Sequence, residues 1–438
     1  MSIVMKFGGT SVADALHIRE VARIVRERLD RKPVVIVSAH TGVTDQLDQL
    51  ARAAVAGKAD VKPLVDRHVT ILRDLELKPE LLDSLLAELE TLLRGIALVR
   101  ELSARTLDLV HSFGERLSAR SVAAHFTNTG LPSVAMDAFD AGLLTDSNYG
   151  RARPLPEAER RIFESLQKVS GVPVITGYIG KDINGHITTL GRNGSDYSAA
   201  IFGNAINAEE IQIWTDVDGV MTADPRVVSD ASSVPEMTYE EAGELAYYGG
   251  KVLHPATIQP AVAKNIPVRV LNTKRSVSPG TLIEGKVPGV PRPVTSITSR
   301  RGVAMLNVLS MRMLGQSGFM SRLFEEFGKH EIIIDHIATS EVSVTLTTDS
   351  KANLEKVQKA LVDVADVQFE RGKATVSIVG RGMRTHPEVV PIILTTLHKS
   401  GIAPQLITQS ALRTSLSFLV EEAEAAPAVK ALHQALFE

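Results

Sequence analysis

The chain has 438 residues, 44% of them hydrophobic and 23% charged, with a formal net charge of -3 and no cysteine. This composition is that of a soluble globular protein; it excludes disulfides and thiolate metal sites and gives no footing for nucleic acid or an anionic membrane as partner. The length exceeds one ordinary core, so two or three domains are expected.

The opening residues to Phe7 lack the basic start and long apolar run of a signal peptide. Runs such as Val34–Val37 and Ile332–Ile334 are too short to cross a bilayer, and a cytoplasmic protein is expected. Ile3–Phe7 reads as a strand, His17–Leu29 as a helix and Val34–Ser38 as a strand. Helical patterns follow over Leu47–Ala56, Leu64–Leu77, Pro79–Leu98 and Thr106–Thr127. Further strands are expected at Val134–Asp137, Val172–Thr176, Ile211–Thr215 and Val268–Leu271. This alternation predicts an α/β domain over residues 1–285, with a mostly parallel sheet between helix layers. Ligands of such sheets bind beyond the C-terminal ends of strands, where Gly8, the Ser38-Ala39-His40 turn and Thr215-Asp216 fall.

Gly285–Arg292 is rich in glycine and proline, and residues 286–301 read as a linker. Two β-α-β-β-α series follow, over 302–370 and 371–438, as a repeat of small α+β modules. The second ends without a final strand of its own, so the modules are expected to share or exchange strands.

Two segments carry the chemistry: Lys6-Phe7-Gly8-Gly9-Thr10-Ser11 and Leu190-Gly191-Arg192-Asn193-Gly194-Ser195-Asp196-Tyr197-Ser198. Both combine small residues, hydroxyls and fixed charge, which suits a phosphorylated ligand. Lys6 can neutralise charge in phosphoryl transfer; a solvated strand-end lysine is the plainer alternative. Neither a Walker A loop nor G-x-G-x-x-G is present. Arg192 offers a planar fork for a carboxylate or phosphate. Asp196 can orient Lys6 or meet nucleotide-bound Mg²⁺, and Ser195 can cradle phosphate. Thr44 stands in a loop suited to substrate; the plainer alternative is an ordinary strand–helix turn with Thr44 or Asp45 as the N-cap. His40, a lone histidine in that loop, reads as incidental. Gly114, inside a helical pattern, allows close approach of backbone or ligand. Glu115 beside it can meet a substrate ammonium with Arg116 as its ion-pair partner, or lie on an exposed salt-bridged face. Trp214–Arg226 lacks the spacing of a calcium loop and fits a nucleotide contact better. Lys251 is a further cation for the nucleotide, or a solvated loop lysine.

Taken together, K-F-G-G-T-S, S-F-G-E-R-L, T-L-G-R-N-G-S-D-Y-S-A-A, W-T-D-V-D-G-V and K-V-L-H-P resemble aspartate kinase, in that family's order and approximate spacing. S-M-R-M-L-G-Q-S-G-F and D-H-I-A-T-S-E-V-S extend the likeness to its regulatory ACT modules. The resemblance implies the amino-acid-kinase fold followed by two ferredoxin-like ACT modules. It implies transfer of the ATP γ-phosphoryl, with Mg²⁺, to the side-chain carboxylate of L-aspartate, the entry to lysine, threonine and methionine synthesis. By motif, Lys6, Asp196 and Lys251 would be catalytic, and Thr44, Glu115, Arg192 and Ser195 would bind aspartate. Lys6, Gly8, Gly9, Thr215, Asp216, Met221, Arg226 and Lys251 would meet the nucleotide. Met313, Gln316, Gly318, Phe319, Asp335, Thr339, Ser340 and Glu341 look like a lysine pocket, with threonine as the other possible effector. Met313, Leu314 and Phe319 also read as module core.

A homodimer or tetramer through the modules is implied. The chain departs from the family at Asn193 (often Gly), Asp45 (often Asn) and Met221 (often Tyr). No stretch is left after the second module for a dehydrogenase, so a monofunctional enzyme is expected. The rival readings are another amino-acid kinase, of acetylglutamate, glutamate or UMP type, and a catalytically idle amino-acid sensor.

Overall fold

The computed structural model describes residues 2–249, 255–313 and 317–438. They form two compact units, the first of 1–220, 235–239 and 252–286 and the second of 221–234, 240–251 and 287–438.

The first unit contains β1 (Ile3–Phe7), α1 (Ala15–Arg26), β2 (Pro33–Val37), α2 (Val43–Val55), α3 (Lys62–Asp74), α4 (Asp83–Val99) and α5 (Ala104–Asn128). It continues through β3 (Ser133–Met136), β4 (Leu144–Thr145), α6 (Glu157–Leu166), β5 (Val172–Thr176), β6 (Ile179–Asp182), β7 (Ile187–Thr189), α7 (Gly194–Ala205) and β8 (Glu210–Thr215). After β9 (Glu236–Thr238) the chain makes α8 (Tyr239–Tyr247), most of which belongs with the second unit. It returns for α9 (Pro255–Ala263), β10 (Val268–Asn272) and β11 (Thr281–Glu284).

Eight of these strands form one sheet in the order β3-β5-β2-β1-β8-β10-β11-β9, parallel throughout except between β10 and β11. A smaller sheet, β4-β6-β7, lies beside the end of β5 in sequence. The continuous apolar strands are buried on both faces, as expected for a parallel sheet covered by helices. Successive side chains of a strand point to opposite faces. Ile3, Met5 and Phe7 therefore join the cluster built with α1 and α5, where Phe7 stacks on Trp214. Lys6 shares the other face with Val4, the face against which α7 packs. The strand period thus aims Lys6 at α7.

The second unit contains β12 (Ser296–Leu309), α10 (Phe319–Lys329), β13 (Ile334–Thr339), β14 (Ser343–Asp349), α11 (Leu354–Leu361), β15 (Asp366–Val379), α12 (Val389–Lys399), β16 (Leu406–Gln409), β17 (Ser415–Glu421) and α13 (Ala425–Phe437). Its strands make one six-stranded sheet, β13-β14-β12-β15-β17-β16. β12 and β15 are each 14 residues long and run through both halves of it. Ser296–Arg301 pairs with Ala374–Val379 in the second half, and Val303–Leu309 with Asp366–Lys373 in the first. The strand missing from the second module is therefore supplied from the stretch expected as a linker. Gly302, with φ 70, sits at the register shift between the two halves of β12.

A candidate active site on the first unit

A cavity of about 480 Å³ opens at the C-terminal ends of β1 and β2, lined by Lys6, Ser38, Thr44, Tyr178, Arg192, Ser195 and Asp196 among others. The first turn of α7 forms one wall. Asn193 precedes it with φ 55, a left-handed conformation that Asn tolerates, so the departure from Gly is accommodated. Arg192 is exposed at the rim, and Ser195 is buried beneath it. Lys6 reaches across from β1 and pairs with Asp196 at 2.6 Å, both side chains about one-tenth exposed. The wall is tightly fitted: a Cβ on Gly177 would come within 2.7 Å of the Ser195 side chain.

The second wall is the turn after β2 with the start of α2. Gly42, with φ 75, caps α2, so neither Thr44 nor Asp45 does. Thr44 lines the cavity, whereas Asp45 is exposed in the first helical turn, where the helix dipole favours its charge. His40 is buried, its Nδ1 against the Val12 carbonyl; burial pushes it down to about 3, and it is held neutral as structure.

Glu115 lies behind this wall on α5, and the structure removes the exposed-face alternative: only 3% of the residue is accessible. Oε1 accepts the Ala39 N–H at 3.1 Å, while the buried Oε2 has no hydrogen-bond partner. Burial pushes this carboxyl up to about 8, against a smaller lowering by the Lys6 charge. A buried carboxylate oxygen without a donor is costly unless a ligand supplies one. Arg116 is not its partner. Adjacent helical residues do not share a face, and Arg116 instead pairs with Asp137 and Glu88, each at 3.3 Å. Gly114 gives close approach to backbone rather than ligand. A Cβ there would lie 2.8 Å from that of Ala39, whose N–H holds Glu115.

The nucleotide candidates lie on neighbouring strand ends. Thr215 ends β8 beside Asn272 of β10, and its hydroxyl meets Asp216. The N–H of Gly8 donates to the Trp214 carbonyl at 3.1 Å and is not free for a phosphate. Gly9 opens the short 3₁₀ turn Gly9–Val12, whose first N–H groups have no partner within the turn. A Cβ on Gly9 would sit 2.9 Å from the Ala39 carbonyl, so no larger residue fits. Met221 and Arg226 belong with the second unit, where Arg226 is paired with Asp224 at 2.6 Å. Lys251 lies outside the described residues.

Sequence reasoning missed Tyr178, Gly150 and Asp108. The buried Asp108 carboxylate accepts the N–H groups of Gly150 and Thr189 and the Thr189 hydroxyl, fixing the cavity's third side. Tyr178 follows the end of β5, and the strand-end rule applied to that strand would have found it.

Residues 1–272 match the amino acid kinase family and residues 376–436 the ACT domain. Aspartokinase 1, chloroplastic, of Arabidopsis thaliana is 37% identical, covering 100% of this chain and 80% of its own. Lysine-sensitive aspartokinase 3 of Escherichia coli K12 is 34% identical, over 100% of this chain and 99% of its own. The chain belongs to the aspartokinase family.

The crystal structure of E. coli aspartokinase III in complex with aspartate and ADP (R-state) superposes with a TM-score of 0.85 at 32% identity, covering both chains completely. Its complex with lysine and aspartate (T-state) gives 0.81. The chain is a kinase with the amino-acid-kinase fold followed by ACT domains. Among the described residues no helix is long and apolar enough to cross a membrane.

In the second unit, Met313 and Phe319 pack against the core of the first ACT half, which is the plainer reading given above for them. Gly318, with φ 92, caps α10. Thr339 ends β13, and Ser340 and Glu341 stand in the turn to β14, where the Ser340 and Ser343 hydroxyls meet at 2.7 Å. Asp335 is mostly buried and is already engaged, by Arg300 at 2.9 Å and the Tyr247 hydroxyl at 3.2 Å. Leu314 and Gln316 lie outside the described residues.

Proposed function

We propose that the cavity binds L-aspartate between Glu115 and Arg192 and passes its side-chain carboxylate the γ-phosphoryl of ATP. The observation that carries this reading is the orphaned, buried Glu115 Oε2, which lacks the donor that an ammonium would supply. Arg192 takes the α-carboxylate by its two-pronged fork, and Thr44 and Ser195 hold the remaining oxygens. The substrate carboxylate is already ionised at neutral pH, so no general base is needed. One carboxylate oxygen attacks the γ-phosphorus, the bond to the bridging oxygen breaks, and ADP leaves with the electron pair; no proton moves. The chain's contribution is then positioning and charge neutralisation. Lys6, steadied by Asp196, answers the charge on the phosphoryl oxygens, and Lys251 is assigned the same task on the nucleotide. Gly9, Thr215 and Asp216 complete the nucleotide side. Mg²⁺ arriving with the nucleotide supplies further neutralisation when bound.

The enzyme is proposed to be cytoplasmic, to assemble through its ACT modules and to be inhibited by L-lysine, as the name of the E. coli relative indicates for that protein. Asp335 supports this. A lysine ammonium would take the place of the Arg300 guanidinium and alter the hold on Tyr247, which ends α8 shortly before Lys251. An effector acts only by preferring one of two such arrangements. Asp335→Ala is expected to raise the half-inhibitory lysine concentration on the order of 100-fold, with uninhibited turnover unchanged. Titrating lysine against both enzymes checks it, and equal inhibition of both would sink the pocket.

A further inference from the structure

We propose that Tyr178 is a positioning residue of the aspartate site, tying the α7 turn that bears Arg192, Ser195 and Asp196 to the α5 helix that bears Glu115. The inference rests on the aspartate reading above and deepens it. Tyr178 holds φ at 66, an uncommon conformation for a bulky residue and one that surrounding contacts must enforce.

The backbone and ring of Tyr178 make those contacts on the α7 side. Its N–H donates to the Ser198 hydroxyl at 3.0 Å, which in turn donates to the Gly194 carbonyl at 3.0 Å. Its carbonyl accepts the Leu190 N–H at 2.8 Å. Its ring covers the start of α7 so closely that a Cβ on Gly194 would lie 2.5 Å from it.

The hydroxyl meets the Thr189 side chain and turns towards α5. It lies 3.4 Å from Nδ1 of His111, whose Nε2 comes within 3.4 Å of Asp48, an ion-pair distance without a hydrogen bond. His111 is one turn before Glu115 on α5, and Asp48 is one turn after Thr44 on α2. Residues four apart share a helix face. The line Tyr178–His111–Asp48 therefore runs behind Glu115 and Thr44, the proposed ammonium-binding and substrate-holding groups, and joins them to the carboxylate-binding turn. The phenol, pushed up to about 12 chiefly by burial, stays neutral, and burial lowers His111 below the usual imidazole range.

The test is steady-state kinetics of Tyr178→Phe, which removes only the hydroxyl, beside His111→Gln and the double variant. The expected result is an aspartate KM about fivefold higher in each single variant, kcat and the ATP KM within about twofold, and a double variant no worse than the worse single. A purely structural role would instead lower the melting temperature and affect both substrates alike. That outcome, or an unchanged aspartate KM in Tyr178→Phe, would overturn the inference while wild-type turnover leaves the aspartate reading standing. Wild-type enzyme without aspartate turnover would overturn both.

Discussion

Glu115→Gln is expected to raise the KM for aspartate on the order of 100-fold while the KM for ATP stays within about twofold. The amide keeps the shape of the side chain but removes the charge that an ammonium needs. Without substrate, burial pushes this carboxyl up to about 8 from its ordinary 4.5. An unfolded chain ionises it at the ordinary value, so between these limits the folded state holds one more proton than the unfolded. The group's contribution to stability therefore falls as pH rises through that window and levels off above about 8. The amide does not ionise and carries no such loss, so without aspartate the variant should melt above the wild type at alkaline pH. If the aspartate ammonium meets Glu115 as proposed, it requires the ionised form, so binding should release a proton and wild-type affinity should climb about tenfold per pH unit towards 8. Calorimetric titration in buffers of different ionisation enthalpy reads that proton. A variant that binds aspartate like the wild type, or binding with no proton release at pH 7, would remove the assignment.

Lys6→Ala is expected to lower kcat about 1000-fold with a much smaller change in the KM for aspartate. Lys6 is the cation that the sheet itself aims at the turn of α7, and its partner Asp196 fixes it at 2.6 Å. Because the two act as one unit, Asp196→Asn combined with Lys6→Ala should cost no more than Lys6→Ala alone. Single-turnover kinetics separates the phosphoryl step from product release. A loss confined to the KM for ATP would mean that Lys6 only binds the nucleotide and does not stabilise the transition state.

The parallel sheet was legible because its strands are short apolar runs ending in turn residues, and Lys6 was legible because it precedes a glycine pair at such an end. Helix α7 was not. It opens Gly-Ser-Asp-Tyr-Ser, poor helix formers, and is buried nearly all round, so no apolar stripe marks it. Its first turn could be read as an anion cradle without being recognised as a helix start. The double-length β12 was hidden for a different reason. Gly302 interrupts its apolar pattern, and Ser296–Arg301 contributes polar residues whose pairing partners lie far along the chain in β15. That Glu115 faces inward while Arg116 turns to Asp137 depends on which face of α5 meets the Ser38–Thr41 turn, a tertiary fact. Asp335 was legible as a carboxylate in an effector motif, but its engagement by Arg300 and Tyr247 joins segments far apart in sequence.

The most direct test of the account is to offer the purified enzyme MgATP and hydroxylamine with L-aspartate, N-acetyl-L-aspartate or N-acetyl-L-glutamate and to measure the acyl hydroxamate. Aspartyl hydroxamate is expected from L-aspartate and almost none from the two acetylated acids, which lack the ammonium that Glu115 is proposed to receive. Hydroxamate from N-acetyl-L-glutamate, or none from L-aspartate with folded enzyme, would contradict it.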